Sequence, residues 1–283
     1  MDNGKEEKKV NIKEKMDDMD QYDKSRTESF GNISHEFKTP LNVIISAIQL
    51  LELYAENGTI IDPELKLNKY LGTMKQNAFR LLKLSYNMID LSKIDSNYYD
   101  IDLHNYDLAA VVQEIVKSVE IYAETKNINL VFNKEIDSIV MAFDIEKLER
   151  IVLNLLSNAL KFTKQNGIVK VNLYKKDNYA FISVKDSGIG IAKDKQEMVF
   201  ERFRQADRSF ARKGEGSGIG LSLVKALVNM HNGEINLESE YGEGSEFTVK
   251  LPISKLQEDL QIDNYSMYKE SLMERLKVEF SDL

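Results

Sequence analysis

Two long apolar seams, separated by a polar break, occupy the first hundred residues and most constrain the fold. Apolar residues recur in steps of three and four from Leu41 to Leu51 and again from Leu67 to Met88. This spacing places them on one face of a helix. Between the seams, Gly58 suits a helix C-cap and Pro63 suits the first turn of a second helix. The sequence therefore predicts an antiparallel helical hairpin.

Further apolar positions on both helices lie outside the seams: Ile45, Leu50, Leu82 and Ile89. A hairpin alone cannot cover so much apolar surface, so we expect it to pair with a second copy as a four-helix bundle. A weaker heptad pattern over residues 1–24 favours a signalling or linker helix that leads into the hairpin, with a solvated leader as the alternative.

The pattern changes beyond Asn97, where amphipathic helices mix with strands of alternating polarity. We predict helices at 108–123, 145–162 and 221–230, and strands at 128–132, 168–174, 179–185, 234–239 and 246–251. This mixture indicates a two-layer α/β sandwich, so the whole chain is of the α + α/β class. Residues 254–283 contain one amphipathic stretch around 268–280, and they fit a disordered extension or a helix that docks on a partner equally well.

Composition excludes several functions. A net charge of −8 over 283 residues argues against nucleic-acid binding, which needs a basic surface. The absence of cysteine excludes disulfide frameworks, cysteine–zinc sites and thiol catalysis. The most apolar stretch, from Leu41 to Leu53, contains polar residues and is shorter than the ~20 residues of a crossing helix. Because the first residues also lack the apolar core of a signal peptide, we expect a soluble, cytoplasmic chain without a membrane span, either by itself or as the soluble part of a membrane-bound sensor.

Several well-known catalytic motifs are absent. The sequence contains no P-loop, no G-x-G-x-x-G dinucleotide fingerprint and no G-x-S-x-G nucleophile elbow. The segment that begins His35-Glu36 resembles the zinc motif H-E-x-x-H, but Thr39 stands where the second histidine ligand must be. A zinc peptidase is therefore not expected.

His35 is the first candidate catalytic residue. It lies outside the heptad seam, so its imidazole should face solvent. An exposed neutral imidazole is a competent nucleophile, and the adjacent Glu36 can take the proton or hold the other ring nitrogen. The local pattern fits an ordinary surface histidine equally well.

Three polar residues form the second candidate group. Asn154, Asn158 and Lys161 are four and three residues apart, so they share one face of a predicted helix. Amide oxygens are ligands for hard cations such as Mg²⁺, and an ammonium group binds phosphate oxygens. A partly solvated helix edge is the alternative interpretation.

Two glycine-rich segments complete the set. Asp186-Ser187-Gly188-Ile189-Gly190 ends a predicted strand, so an acidic acceptor is followed by glycines that let a flat ligand approach the backbone. The segment 214–220 opens directly into the helix at Leu221. Glycines before a helix N-terminus present free N–H groups and favour anions, although a single glycine-rich loop is usually only a connection.

In this order the motifs resemble the two-component sensor histidine kinases over residues 25–253. The matching segments are an H box at 34–40, an N box at 154–161, a first glycine box at 186–190, an F box at 200–203, a second glycine box at 216–220 and a last glycine-rich turn at 242–247. The resemblance implies domains at 25–97 for dimerisation and histidine phosphotransfer and at 98–253 for ATP binding, with residues 254–283 as a C-terminal extension.

The resemblance also implies an ATP site that uses Mg²⁺. Asp186 would accept a hydrogen bond from the adenine amino group, with Gly188 and Gly190 allowing close approach, under a lid from Phe203 to Gly216. Many members have Tyr-Arg after the F-box phenylalanine, whereas Arg204 follows Phe203 here. The arginine that contacts the γ-phosphate is therefore open among three residues: Arg202, Arg204 and Arg208.

The remaining implied roles concern phosphate and phosphotransfer. Asn158, helped by Asn154, would coordinate Mg²⁺, and Lys161 would neutralise phosphate charge. The backbone around the second glycine box would cradle the phosphates: Gly216, Gly218, Gly220 and Leu221. His35 would attack the γ-phosphoryl group with Glu36 as its acid/base partner.

The implied partners are a second copy of the chain, through the hairpin, and the receiver domain of a response regulator, with no nucleic acid. The phosphoryl group would pass from His35 to an aspartate of that regulator, and Thr39 would orient water for phosphatase activity. Two alternatives remain. One is an ATPase of the same nucleotide fold that does not phosphorylate itself, as in gyrase or MutL-like proteins. The other is a dimeric scaffold without turnover. His104 and His231 match no motif and are expected to be surface or packing residues.

Overall fold

The computed structural model describes residues 34, 36–54, 63–96, 98–202, 218–257, 272–273 and 275–281. The predicted helix over residues 1–24, the turn between the two hairpin helices and His35 itself lie outside the described residues. So do three expected nucleotide-binding residues: Phe203, Arg204 and Gly216.

Two helices form the N-terminal part of the molecule, as the apolar seams predict. Helix α1 covers residues 36–54 and helix α2 covers Pro63–Asp95. The rings of Tyr54 and Tyr70 lie 6.3 Å apart across the hairpin. Many apolar side chains on both helices are at least about a third exposed in the single chain, which is consistent with a surface that a second copy would cover: Leu41, Val43, Ile45, Ile48, Leu50, Leu53, Leu67, Leu71, Leu82 and Ile89.

A five-stranded sheet and three longer helices form the second half, which confirms the α/β prediction. The helices are α3 (Leu108–Thr125), α4 (Ile145–Phe162) and α5 (Gly220–Met230). The strands are β1 (His104–Asp107), β2 (Asn129–Lys134), β3 (Val140–Phe143), β4 (Ile168–Lys176), β5 (Tyr179–Asp186), β6 (Glu234–Glu240) and β7 (Gly244–Pro252). Short 3-10 turns occupy Lys193–Lys195 and Met198–Phe200.

The main sheet has the strand order β2-β4-β5-β7-β6. Strands β2 and β4 are parallel, and the other neighbours are antiparallel. A separate two-stranded sheet pairs β1 with β3. Asp186 and Ser245 are register partners where β5 and β7 meet, so the first glycine motif lies at the same sheet edge as the last glycine-rich turn.

Local sequence explains where the central elements begin. The carboxylate of Asp144 accepts hydrogen bonds from the backbone of Glu146 and Lys147 and caps α4. The alternating residues Val169, Val171 and Leu173 of β4 are fully buried, as expected for a strand with one face on the helices. Helix α4 therefore lies in the core, and its polar residues are held in fixed positions.

Helix α2 of the hairpin packs against the α/β half of the chain. Leu84 and Leu91 belong to the same buried cluster as the cores of α3, α4 and the sheet. The guanidinium of Arg150 on α4 forms an ion pair with Asp90 and donates a hydrogen bond of 3.0 Å to Oδ1 of Asn87. These contacts connect the two halves along the C-terminal part of α2.

The end of the chain also packs onto the core. We call residues 272–273 and 275–281 the C-terminal segment; residues 275–279 are helical. Leu272, Leu276 and Phe280 are four residues apart and buried, and the ring of Phe280 stacks on Tyr122 at 4.6 Å. The described part is therefore neither a disordered extension nor a helix on a partner, because its apolar stripe is buried against the same chain. No helix in the part of the chain that the structure describes is long and apolar enough to cross a membrane.

Candidate functional site

The polar face of α4 has the geometry that the spacing of its residues predicts. Asn154 is 6% exposed, and its Oδ1 accepts a hydrogen bond of 3.3 Å from Nδ2 of Asn158, one turn later. Lys161 is half-buried near the end of the same helix. The two amides and the ammonium therefore lie along one edge of a buried helix, where amide oxygens can bind a hard cation and the ammonium can bind an anion.

The end of the second glycine motif lies directly against this face. A Cβ added to Gly220 would fall 2.7 Å from Oδ1 of Asn154, so only glycine allows the first turn of α5 to approach the amide. Gly218, two residues earlier, has a φ of +65°. Among the described residues, no side chain caps the N-terminus of α5, so its first N–H groups can bind an anion. Leu221 is half-buried and packs against the core.

Asp186 is a buried acidic group at the end of β5. It is 7% exposed, and its Oδ1 accepts a hydrogen bond of 2.8 Å from the backbone N–H of Gly188. Burial raises the pKa of Asp186 to about 6, although hydrogen bonds from the backbone of Gly188 and Ser245 act in the opposite direction. A buried acceptor at a sheet edge is suited to recognising an amino group of a ligand.

The glycines after Asp186 are required by the backbone itself. A Cβ on Gly188 would lie 2.6 Å from the carbonyl oxygen of Phe162. Gly190 has a φ of +63°, and a Cβ there would clash with the carbonyl oxygen of Glu240. The same holds for Gly244, whose φ is +121° and whose Cβ would clash with the carbonyl of Asp186. These glycines have a packing reason, in addition to the ligand approach expected from the sequence.

The F-box segment is described only as far as Arg202. The ring of Phe200 meets Phe247 edge-on at 6.2 Å between centroids. Arg202 binds the carboxylate of Asp95 on α2, with 2.6 Å between Nη2 and Oδ1. Phe203, Arg204 and Arg208 lie outside the described residues.

The H-box segment forms the start of α1. Glu36 is half-buried and Thr39 is exposed, whereas Pro40 is buried. The structure brings together the α4 asparagines, Lys161, Gly218 and Gly220. His35 lies outside the described residues, so its distance from this group is not part of the description.

Two further residues at the site were not predicted. Oε1 of Glu279 lies 3.4 Å from Nδ2 of Asn154, and Arg150 connects α4 to α2. No local pattern marks either residue, since Glu279 reaches Asn154 from 125 residues away along the chain. The two other histidines are structural: Nε2 of His231 accepts a hydrogen bond from the backbone of Asp144, and His104 pairs with Asp102 at 3.1 Å.

Comparison with known proteins finds a matching family model for each half of the chain. Residues 25–97 match the family model of the His Kinase A phospho-acceptor domain. Residues 143–255 match the model of the histidine kinase-, DNA gyrase B- and HSP90-like ATPases.

Two curated relatives cover most of this chain. The hybrid signal transduction histidine kinase D of Dictyostelium discoideum is 35% identical over 237 residues, which is 82% of this chain and 15% of that protein. The sensor histidine kinase TmoS of Ectopseudomonas mendocina is 34% identical over 234 residues, which is 82% of this chain and 23% of that protein. The chain therefore spans less than a quarter of the length of these two relatives.

The fold is also that of a solved kinase. The histidine kinase ThkA, in complex with the response regulator protein TrrA, aligns with a TM-score of 0.60 at 19% identity, covering 90% of this chain and 67% of that one. The chain has a phospho-acceptor domain followed by this ATPase domain, which together form a histidine kinase core. It therefore belongs to the two-component sensor histidine kinase family.

Proposed function

We propose that this chain is an autophosphorylating protein-histidine kinase that transfers the γ-phosphoryl group of ATP to His35. The observation that carries the proposal is the arrangement of Asn154 and Asn158 against Gly220 at the start of α5. A cation-binding amide pair next to an anion-binding helix terminus fits a metal-bound polyphosphate.

The nucleotide would lie between the sheet edge and α4. Asp186 would accept a hydrogen bond from the adenine amino group, and its ionised carboxylate is the stronger acceptor. Asn158, supported by Asn154, supplies amide oxygen to Mg²⁺, and Lys161 neutralises phosphate charge. The ion fits this donor set because hard cations prefer oxygen ligands, and it contributes neutralisation of the charge on the β- and γ-phosphates.

The lid and the second glycine box would close over the phosphates. The backbone of residues 216–220 donates to phosphate oxygens, and the segment from Phe203 to Gly216 covers the nucleotide. Arg202 is bound to Asp95 in this structure, which leaves Arg204, the residue next to the F box, and Arg208 as candidates for the contact with the γ-phosphate.

Phosphoryl transfer follows from this placement. A ring nitrogen of His35 attacks the γ-phosphorus in line, the bond from that phosphorus to the ADP oxygen breaks, and Glu36 accepts the proton of the imidazole. Positioning and charge stabilisation dominate such reactions, so the ATP-binding half must approach α1 for the transfer.

The phosphohistidine would then transfer its phosphoryl group to a second protein. We assign the acceptor to an aspartate of a response-regulator receiver domain docked on the hairpin, and the complex of ThkA with a response regulator protein supports this assignment. Thr39 is exposed one helical turn after His35, where it can orient water for dephosphorylation of the regulator. The exposed apolar residues of α1 and α2 support a homodimer through the hairpin. Because ATP is the substrate, we place the chain in the cytoplasm.

A labelling experiment separates this proposal from its alternatives. With γ-labelled ATP and Mg²⁺, a histidine kinase retains label on the protein, and added receiver domain removes it. An ATPase of the same nucleotide fold releases labelled phosphate without labelling itself, and a silent scaffold does neither.

A further inference from the structure

The carboxylate of Glu279 lies between the hairpin and the candidate nucleotide site. Its Oε1 is 3.1 Å from Nζ of Lys83 on α2 and 3.4 Å from Nδ2 of Asn154 on α4. The backbone carbonyl of Glu279 accepts further hydrogen bonds from Lys83 at 2.7 Å and from Oγ of Ser157 at 3.3 Å. The Glu279 side chain is only 16% exposed, so its charge lies close to the α4 face.

The rest of the C-terminal segment anchors this contact. Arg275 forms a two-pronged pair with Glu149, which is fully buried on α4, with 2.8 Å between Nη2 and Oε2. Leu276 and Phe280 are buried on either side of Glu279. The segment is therefore docked by a buried ion pair and by apolar packing, and it connects α2 with α4.

This contact places a negative charge beside the α4 face at which the proposed function binds a polyphosphate. Nδ2 of Asn154 is engaged by Glu279, while its Oδ1 is engaged by Asn158. A carboxylate and a phosphate group at the same amide repel each other. The same carboxylate also ties α2 to α4 through Lys83, which opposes the domain movement that phosphoryl transfer requires.

We infer that the C-terminal segment is autoinhibitory: its Glu279 opposes the polyphosphate of ATP at the α4 face that contains Asn154 and Asn158, and it holds the ATP-binding half against α2. This inference rests on the proposed function, because it needs ATP at this face. Displacement of the segment raises both nucleotide affinity and the rate of autophosphorylation.

The direct test compares the 283-residue chain with its Glu279→Gln variant. Glutamine keeps the size of the side chain and removes its charge. In calorimetric titration with a non-hydrolysable ATP analogue and Mg²⁺, the variant should bind about threefold to fivefold more tightly, the effect expected from losing one partly exposed ion pair. The matched control is Glu120→Gln on the exposed face of α3, which removes the same charge elsewhere and leaves the affinity unchanged. Equal or weaker binding by Glu279→Gln would overturn the inference.

A second variant of the same 283-residue chain weakens the anchor without altering Glu279. Replacing Glu149 and Arg275 together by glutamine removes the ion pair and leaves no unpaired buried charge. It should also bind the analogue more tightly and label faster with γ-labelled ATP, and unchanged affinity in this variant would likewise refute the autoinhibitory role. If the unaltered chain and every variant fail to bind the analogue, the proposed function itself fails. Binding by the unaltered chain with no gain in the variants refutes this inference alone.

Discussion

Nδ2 of Asn158 donates a hydrogen bond of 3.3 Å to Oδ1 of Asn154, one turn earlier on α4. Asn154 is buried against Gly220, whereas Asn158 is half-buried at the edge of the helix. The pair thus has an inner member that packs and an outer member that can bind a ligand, and this division predicts different consequences for the two residues.

Replacing Asn158 by alanine should abolish labelling by γ-labelled ATP, with a loss of about 100-fold, as for other lost electrostatic groups in active sites. The fold should persist because Asn158 is only half-buried. Labelling rate and sedimentation are measured on the same sample, with Asn236→Ala on β6 as the exposed control. Loss of the dimer in Asn158→Ala would show that the residue is structural.

Asp186 should make both binding and stability depend on pH. Its pKa in the folded chain is about 6, so affinity for the ATP analogue should fall as the pH drops through 6 and the carboxylate becomes protonated. The native state holds this proton more tightly than the unfolded chain does. Raising the pH from about 4 to about 6 therefore destabilises the fold, by roughly 2 to 3 kcal/mol in all.

The Asp186→Asn variant separates these two effects. It keeps an oxygen for the N–H of Gly188 and removes the buried charge, so the free chain should gain about 2 kcal/mol of stability at pH 8 and nothing below pH 4. Its affinity for the ATP analogue should be lower than that of the unaltered chain at pH 8, and this difference should disappear well below pH 6, where the unaltered carboxyl is also neutral. Urea unfolding at both pH values measures the first effect, with Asp194→Asn on an exposed turn as control. A gain that is equal at pH 8 and pH 4 would contradict this account of Asp186.

Two ion pairs between α2 and the α/β half offer a matched comparison. The side chain of Asp90 is 11% exposed and that of its partner Arg150 is 26% exposed. In the second pair, Arg202 is 38% and Asp95 is 52% exposed. Asp90→Ala should lower the free energy of unfolding by about 2 to 3 kcal/mol because it removes a carboxylate that directly contacts a mostly buried guanidinium. Asp95→Ala should cost less than about 1 kcal/mol. Equal losses in urea unfolding would show that burial does not decide the strength of these contacts.

The last glycine-rich turn provides a test of backbone strain. Gly242 and Gly244 both have positive φ values, +95° and +121°, but a Cβ on Gly242 meets nothing within 4 Å. Gly242→Ala should therefore cost about 1 to 2 kcal/mol, for the backbone conformation alone. Gly244→Ala adds a clash with the carbonyl of Asp186 and should cost about 3 kcal/mol or more. A Gly244→Ala chain as stable as Gly242→Ala would refute the close approach of β7 to Asp186.

Local patterns were sufficient for the elements with strong signals. Helix α4 runs over Ile145–Phe162 as predicted, because Asp144 caps it and its apolar residues extend to Leu160. Strand β7 begins at Gly244, two residues before the predicted start, since its backbone pairs with the end of β5. The small sheet of β1 and β3 was not predicted. Each strand has only four residues, and their pairing joins segments more than 30 residues apart.

The candidate site also has some features that local sequence predicts and others that it does not. The spacing of Asn154, Asn158 and Lys161 was enough to place them on one helix face, because helical geometry is local. The contact between Asn154 and Glu279 could not be predicted, since it depends on where the C-terminal segment folds back. The packing reason for Gly190 likewise depends on the distant backbone of Glu240.

The central claim is that His35 accepts the phosphoryl group of ATP. The chain is incubated with γ-labelled ATP and Mg²⁺, and the labelled protein is then treated with acid or with alkali. We expect label that is lost in acid and retained in alkali, as for a phosphohistidine, in the unaltered chain and in a His104→Gln control. Label should be absent from His35→Gln. An acid-labile, alkali-stable label on His35→Gln would contradict the account.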